Sequence, residues 1–209
     1  MLRVIVIGGS GATGKELLKE LIASPKVASI TSLGRRNVDD LQSEKLNQVI
    51  VDFEKLDDYK ESFKGQEAAF CCLGTTKKQA GTAEKFRHIE LDYSSAFSRL
   101  AKEANIEQMH LLTSQGANPN SWFLYMKTKG EIEEAMKRDT FKNLYIYRPG
   151  FLNRGATDRF GEKALSYLMS GIPVNTVARS MVKLFERQNE QTPSGVNVLY
   201  NKEIYKESK

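Results

Sequence analysis

The chain has 209 residues, with 40% hydrophobic and 27% charged residues, so it is long enough for one folded domain and too apolar for a disordered one. Its 31 Lys and Arg against 26 Asp and Glu leave a net charge of +5, but the basic residues are scattered, which excludes the concentrated basic and aromatic stripe of a nucleic-acid groove. No apolar stretch reaches membrane-spanning length, and Met1 to Ile7 is too short for a secretion signal. The two cysteines, Cys71 and Cys72, are neighbours and cannot be bridged without strain. A reducing compartment is therefore expected, cytoplasmic or also nuclear, with the chain a monomer or homodimer.

In chain order, Leu2–Ile7 reads as a strand buried on both faces, ended by the glycine cluster Gly8 to Gly14. Lys15 to Ala23 then carries an apolar helical stripe. Further strands are expected over Val27–Leu33, Gln48–Val51, Glu67–Leu73, Ile106–Thr113 and Leu144–Arg148. Helical patterns cover Ala83–Ala104 and Ser121–Arg138. This alternation predicts a Rossmann-type doubly wound parallel sheet, with its ligand beyond the carboxyl ends of the strands. The Rossmann core is expected over 1–150. After Gly150 the pattern loosens into a loop from Arg154 to Arg159, helices over Gly161–Met169 and Asn175–Gln188, and a strand over Val196–Tyr200. The segment 151–209 is thus expected to form a small, dependent lobe on the substrate side.

Strand, glycine loop and helix together present backbone N–H groups to phosphate. Here the spacing is Gly8-x-x-Gly11-x-x-Gly14, with Ser10, Ala12 and Thr13 between the glycines. The same stretch approaches a nucleotide triphosphate loop, Gly9-x-x-x-x-Gly14-Lys15, but Glu16 replaces the Ser or Thr that holds magnesium. A dinucleotide is the better reading. At the end of the second strand, Arg35 and Arg36 stand where an acidic residue selects NAD, and guanidinium groups suit the 2′-phosphate of NADP. NADP(H) is therefore the expected cofactor. Asp52, closing the third strand, is a candidate acceptor for the adenine amino group.

Tyr125 and Lys129 share one face of the Ser121–Arg138 helix, and a neighbouring ammonium stabilises a phenolate. Tyr205 and Lys209 have the same spacing, so the spacing alone carries little. Tyr125 is distinguished by following the strand that ends at Ser114, whose hydroxyl could orient a carbonyl. His88 and His110 have no metal-ligand spacing and read as structural, on an exposed helix face and within a strand. Trp122 and Phe123 are expected in the core, with a cap over the substrate pocket as the alternative, and Arg148 at a turn.

These elements resemble the short-chain dehydrogenase/reductase superfamily. Longer matches narrow the resemblance to the Tat-interactive protein family, an atypical branch. They are Gly11-Ala-Thr-Gly14, Leu33-Gly-Arg-Arg36, Val51-Asp-Phe-Glu-Lys-Leu-Asp-Asp-Tyr59, Phe70-Cys-Cys-Leu-Gly-Thr-Thr76, Phe123-Leu-Tyr-Met-Lys-Thr-Lys-Gly-Glu131 and Arg148-Pro-Gly150. The likeness runs from Leu2 to about Gly161. It implies cofactor phosphate on Ser10 and Thr13, the 2′-phosphate on Arg35 and Arg36, and adenosine against Leu73 and Gly74 beside Thr75. It further implies Tyr125 as proton donor, Lys129 on the ribose, and cofactor contacts from Leu152 and Arg159. Thr113 replaces the first serine of the family's Leu-Leu-Ser-Ser run, while Ser114 keeps the second. An N-terminal extension found in some relatives is expected to be missing. An NADPH-dependent reductase of an unidentified small-molecule carbonyl substrate is the leading expectation. The resemblance also implies an alternative, a non-catalytic NADPH-bound regulator with protein partners in nuclear transport or transcription control.

Overall fold

The computed structural model describes residues 1–154, 171–187 and 194–209. The expected helix over Gly161–Met169 and most of the loop before it, Arg159 included, lie outside the described residues.

Four consecutive residues, Val4 to Ile7, are fully buried in β1 (Leu2–Ile7) because both of their faces are covered. Around β1 lie β2 (Val27–Gly34), β3 (Leu46–Ile50), β4 (Ala68–Cys71), β5 (Gln108–Leu112) and β6 (Asn143–Tyr147). A further strand, β9 (Gly195–Leu199), follows a short parallel ladder of β7 (Leu152–Asn153) with β8 (Ile172–Pro173). The main sheet has seven parallel strands in the order β3-β2-β1-β4-β5-β6-β9. The order reverses between β1 and β4, and a crevice opens there at the strands' carboxyl ends.

Helix α1 (Ala12–Ala23) covers one face together with α6 (Val174–Glu186) and α7 (Asn201–Glu207). The 3₁₀ segment Phe53–Phe63, α4 (Tyr93–Glu103) and α5 (Leu124–Arg138) cover the other. The expected helix over Ala83–Ala104 is wound in three pieces. These are α3 (Ala83–Arg87), a π-turn (His88–Asp92) and α4, preceded by the one-turn α2 (Lys77–Ala80).

The described part of the last sixty residues is woven into this core. β9 pairs with β6 along its full length, and α6 packs on α1 through Val177, Ala178 and Met181, all fully buried. That region reads loosely in sequence because β9 is an edge strand with Val196 and Val198 exposed, so continuous burial does not mark it. The β7–β8 ladder beside the crevice is the part that serves the site.

Two expectations about single residues resolve differently. His110 is fully buried in β5, stacked between Phe70 at 4.5 Å and Tyr145 at 4.8 Å, with Nδ1 3.0 Å from the Tyr147 hydroxyl. Burial pushes its imidazole down to about 3, so it is a neutral packing residue. Trp122 and Phe123 are not core residues. Both are exposed, Trp122 completely, because the segment before α5 runs over the surface, just ahead of the Tyr125 and Met126 that line the crevice.

Candidate active site

At Gly8 the chain leaves β1 with φ +84°, and a Cβ there would lie 2.4 Å from the Cys72 carbonyl carbon. A Cβ on Gly14 would lie 2.1 Å from the Gly8 oxygen. These two glycines allow α1 to start directly against the strand ends. Gly11 caps α1 without a side-chain hydrogen bond, and the first turn carries no acidic residue. The first-turn N–H groups and the positive end of the helix dipole are therefore left for an anion from outside. Gly11, Ala12 and Thr13 line the crevice at this point, while Gly14 is buried behind them.

The crevice is a trench of three joined cavities. The adenosine-side cavity, about 580 Å³, is walled by Gly8, Ser10, Arg35, Arg36, Phe53 and Tyr93. Arg35 and Arg36 are exposed at the end of β2, and no described ion pair engages either. The nearby acid, Asp40, is instead committed to Lys15 at 2.8 Å, which holds its carboxyl below the usual range. Two guanidinium groups thus line this cavity with no ion pair among the described residues. Asp52 does not join the wall. Its Oδ1 accepts the Glu54 N–H at 3.0 Å as the cap of the 3₁₀ segment, and Phe53 faces the cavity in its place.

The middle cavity, about 180 Å³, joins the glycine loop to Leu73, Gly74, Thr75, Tyr125, Lys129 and Leu152. Leu152 also lines the third cavity, about 540 Å³, with Ser114, Tyr125, Met126, Phe151 and Arg154. Tyr125, at the second position of α5, is partly exposed toward both. Lys129 lies one turn on, its Nζ 5.9 Å from the centre of the Tyr125 ring. Ser114 Oγ is buried and has no hydrogen-bond partner among the described residues. A buried, unpaired hydroxyl costs stability unless a ligand completes it. Ser114 lines the third cavity and Lys129 the middle one, and Tyr125 lines both and joins them.

Thr113, the departure from the family's double serine, is not wasted. Its Oγ1 donates to Glu133 Oε1 at 2.7 Å, and Glu133 is also paired with Arg148. Arg148 Nη1 in turn reaches the Tyr200 hydroxyl at 2.9 Å. This buried network ties β5, α5 and β6 together immediately behind Ser114.

Three residues of the site do not stand out in the sequence: Glu90, Phe53 and Tyr93. Glu90, in the π-turn, is 1% exposed, and its Oε2 lies 2.7 Å from Lys129 Nζ. Its Oε1 accepts the Thr75 backbone N–H at 2.6 Å. Burial works against the Lys129 ammonium, yet the charge of Glu90 holds it above the usual lysine value. The signal was a carboxylate four residues after Phe86 on the apolar face of a helical pattern. Phe53 and Tyr93 were likewise invisible, because nothing in the sequence separates a cavity wall from a core position.

The uncapped helix, the free arginine pair and the orphaned serine hydroxyl fit a nicotinamide dinucleotide, and similarity to known proteins agrees. The profile of the NAD(P)H-binding family matches residues 8–188. Protein HTATIP2 of Rattus norvegicus is 41% identical over 151 residues, 71% of this chain and 62% of that protein. The chain thus spans less than two thirds of that relative. Protein FMP52, mitochondrial, of Candida albicans is 35% identical over 157 residues, 72% of this chain and 67% of that protein. Among solved structures, MoeE5 in complex with UDP-glucose and NAD aligns with a TM-score of 0.75 at 15% identity, covering 95% of this chain and 75% of that chain. The oxidoreductase ylbE from Lactococcus lactis aligns at 0.73 and 17% identity, covering 96% and 91%. These two support the fold.

The same relatives correct the expected location. Several fungal relatives are named mitochondrial, whereas the cytoplasmic or nuclear expectation rested on ordinary composition and reduced cysteines, which do not distinguish a mitochondrial interior from the cytoplasm. Fold, trench and similarity together place the chain in the Tat-interactive protein family, an atypical NAD(P)-binding branch of the short-chain dehydrogenase/reductase superfamily.

Proposed function

We propose that the chain is an NADPH-dependent reductase of a small carbonyl compound, acting in mitochondria as the names of its fungal relatives suggest. The observation that carries this reading is Ser114 Oγ, buried and unpartnered in the same cavity as Tyr125, with Lys129 one helical turn behind. In this reading the first turn of α1 takes the pyrophosphate, and Arg35 and Arg36 take the 2′-phosphate. The bound cofactor supplies the hydride. Ser114 donates a hydrogen bond to the substrate oxygen and orients it. Tyr125 delivers its hydroxyl proton to that same oxygen as the alcohol forms. Lys129 keeps positive charge beside the phenolate that remains and offers donors to the ribose. Met126, Phe151 and Leu152 give the third cavity an apolar wall, which suits a substrate with a hydrocarbon body.

The test is a fluorescence titration of NADPH and NADH against wild type and Arg35→Ala/Arg36→Ala, followed by carbonyl turnover in Tyr125→Phe. Charge-assisted hydrogen bonds contribute about 1.5–3 kcal/mol each, but both arginines are exposed and screened. We expect about 2 kcal/mol for the pair, roughly a 30-fold loss of NADPH affinity, with NADH affinity unchanged. Tyr125→Phe should lower kcat by about 10²–10⁴-fold and leave NADPH binding intact. Equal loss for both nucleotides would sink the 2′-phosphate assignment, and undiminished kcat would sink the role of Tyr125.

A second reading is favoured by one observation, the full exposure of Trp122 beside Phe123 and Met126 at the rim. Exposed aromatic clusters of this kind mark protein contacts. A cofactor-bound protein that recruits a partner through this rim would bind NADPH and turn over no carbonyl.

A further inference from the structure

We propose that Glu90 is the positioning residue of this site, holding the Lys129 side chain and the Thr75 backbone N–H with one buried carboxylate. It thereby ties the cofactor-facing loop after β4 to the helix that carries Tyr125. The inference rests on the reductase reading for its consequence in catalysis, and on the geometry of the chain for its existence.

The π-turn is the local device. Such turns insert one residue into a helix and recur at functional sites. Within it His88 and Asp92 face outward, paired with each other at 2.6 Å, while Glu90 faces inward and is 1% exposed. A carboxylate there is costly unless paired and hydrogen-bonded. Glu90 satisfies this with two partners on two different elements: Lys129 at 2.7 Å from α5, and the Thr75 N–H at 2.6 Å from the loop after β4. Gly74 and Thr75 line both the adenosine-side and the middle cavities, so the bond to Thr75 sets the wall against which a dinucleotide lies.

Few charges face Lys129: besides Glu90, Arg154 just after β7 lines the same cavity. Tyr125 lies on its own helix, and Cys71 and Cys72 at the end of β4 face it with thiols that burial keeps protonated. Among the described residues Glu90 is the one carboxylate within ion-pair distance of Lys129. Without it, desolvation acts on an uncompensated ammonium. Lys129 itself lines the middle cavity, so the paired ammonium stands at the trench wall. The ion pair thus keeps Lys129 charged and fixes its direction.

The decisive measurement is a lysine Nζ-detected NMR titration of the cofactor-free protein, comparing wild type with Glu90→Gln. The amide preserves an acceptor for Thr75 and removes the charge. The Lys129 midpoint should fall by more than about one pH unit, a tenfold change in acidity. With NADPH added, the alkaline loss of affinity should move to lower pH by a similar amount. A merely structural role would lower stability and leave both midpoints in place. Should Glu90→Gln fail to fold, Glu90→Asp retracts the carboxylate by one methylene and must lower the midpoint as well. An unchanged Lys129 midpoint in whichever variant folds overturns the proposal. A wild-type protein that binds no NADPH would instead overturn the reductase reading, while the cofactor-free titration still decides the role of Glu90.

Discussion

Removing Arg148 should expose how much of the site's rigidity depends on the network behind Ser114. Glu133 is 1% exposed and has three donors within reach: Thr113 Oγ1 at 2.7 Å, Arg148 Nε at 2.9 Å and Arg148 Nη2. Arg148→Met deletes two of the three and leaves a buried carboxylate with one hydroxyl donor. Breaking a buried ion pair from one side costs about 3–5 kcal/mol. The Arg148 side chain is 19% exposed, so water can enter its place, and the lower end, about 3 kcal/mol, is expected. For a chain of this size that is about 6–12 °C in Tm. Glu133→Leu is milder, about 1–2 kcal/mol, since the arginine can extend to solvent. The double variant removes both charges and should cost less than Arg148→Met alone, a coupling of about 1 kcal/mol or more. Urea denaturation of the wild type and three variants reads this directly. If the double variant costs the sum of the singles, the two side chains do not stabilise one another and the network argument fails.

Two further outcomes follow from the geometry. Gly8→Ala forces a Cβ to 2.4 Å from the Cys72 backbone at φ +84°. Left-handed strain of about 1–2 kcal/mol and overpacking of about 1–3 kcal/mol should together destabilise by about 2–5 kcal/mol. Urea denaturation that finds a loss below about 0.5 kcal/mol would mean that the turn relaxes freely. His88 is held above the ordinary imidazole range by Asp92 and then by Glu54. A raised folded-state value adds stability below about pH 6.5 that fades as pH rises through that value. A scan of Tm from pH 5.5 to about 8 should therefore decline slightly more in wild type than in His88→Gln, a small effect because the ring is 41% exposed. Parallel profiles would show that His88 does not carry it.

The elements legible in sequence are those in which one local rule dominates. Val4 to Ile7 announces a doubly covered strand because every position in it is apolar. The glycine spacing announces a phosphate loop because Gly8 and Gly14 meet backbone that no side chain could share. Tyr125, Lys129 and Ser114 were selected through chain order, since parallel strands collect their carboxyl ends at one edge. In the C-terminal region the helix expected over Asn175–Gln188 and the strand expected over Val196–Tyr200 are found as α6 and β9. How they join the core was not legible. β9 is an edge strand whose exposed valines break the buried pattern, and its place beside β6 is set by long-range pairing.

What the sequence determined by itself is the order of strands and helices, the phosphate loop, and the residue types available at the strand ends, because periodicity, glycine and charge act locally. Tertiary structure decided which of those residues face the trench. Asp52 turns aside to cap a helix, Trp122 lies open at the rim, and Glu90 points inward from a π-turn to Lys129, some forty residues away along the chain. The physical reason is that a side chain's role depends on what packs against it. Glu90 lies on the apolar face of a helical pattern, and only the approach of α5 and the loop after β4 makes its burial affordable.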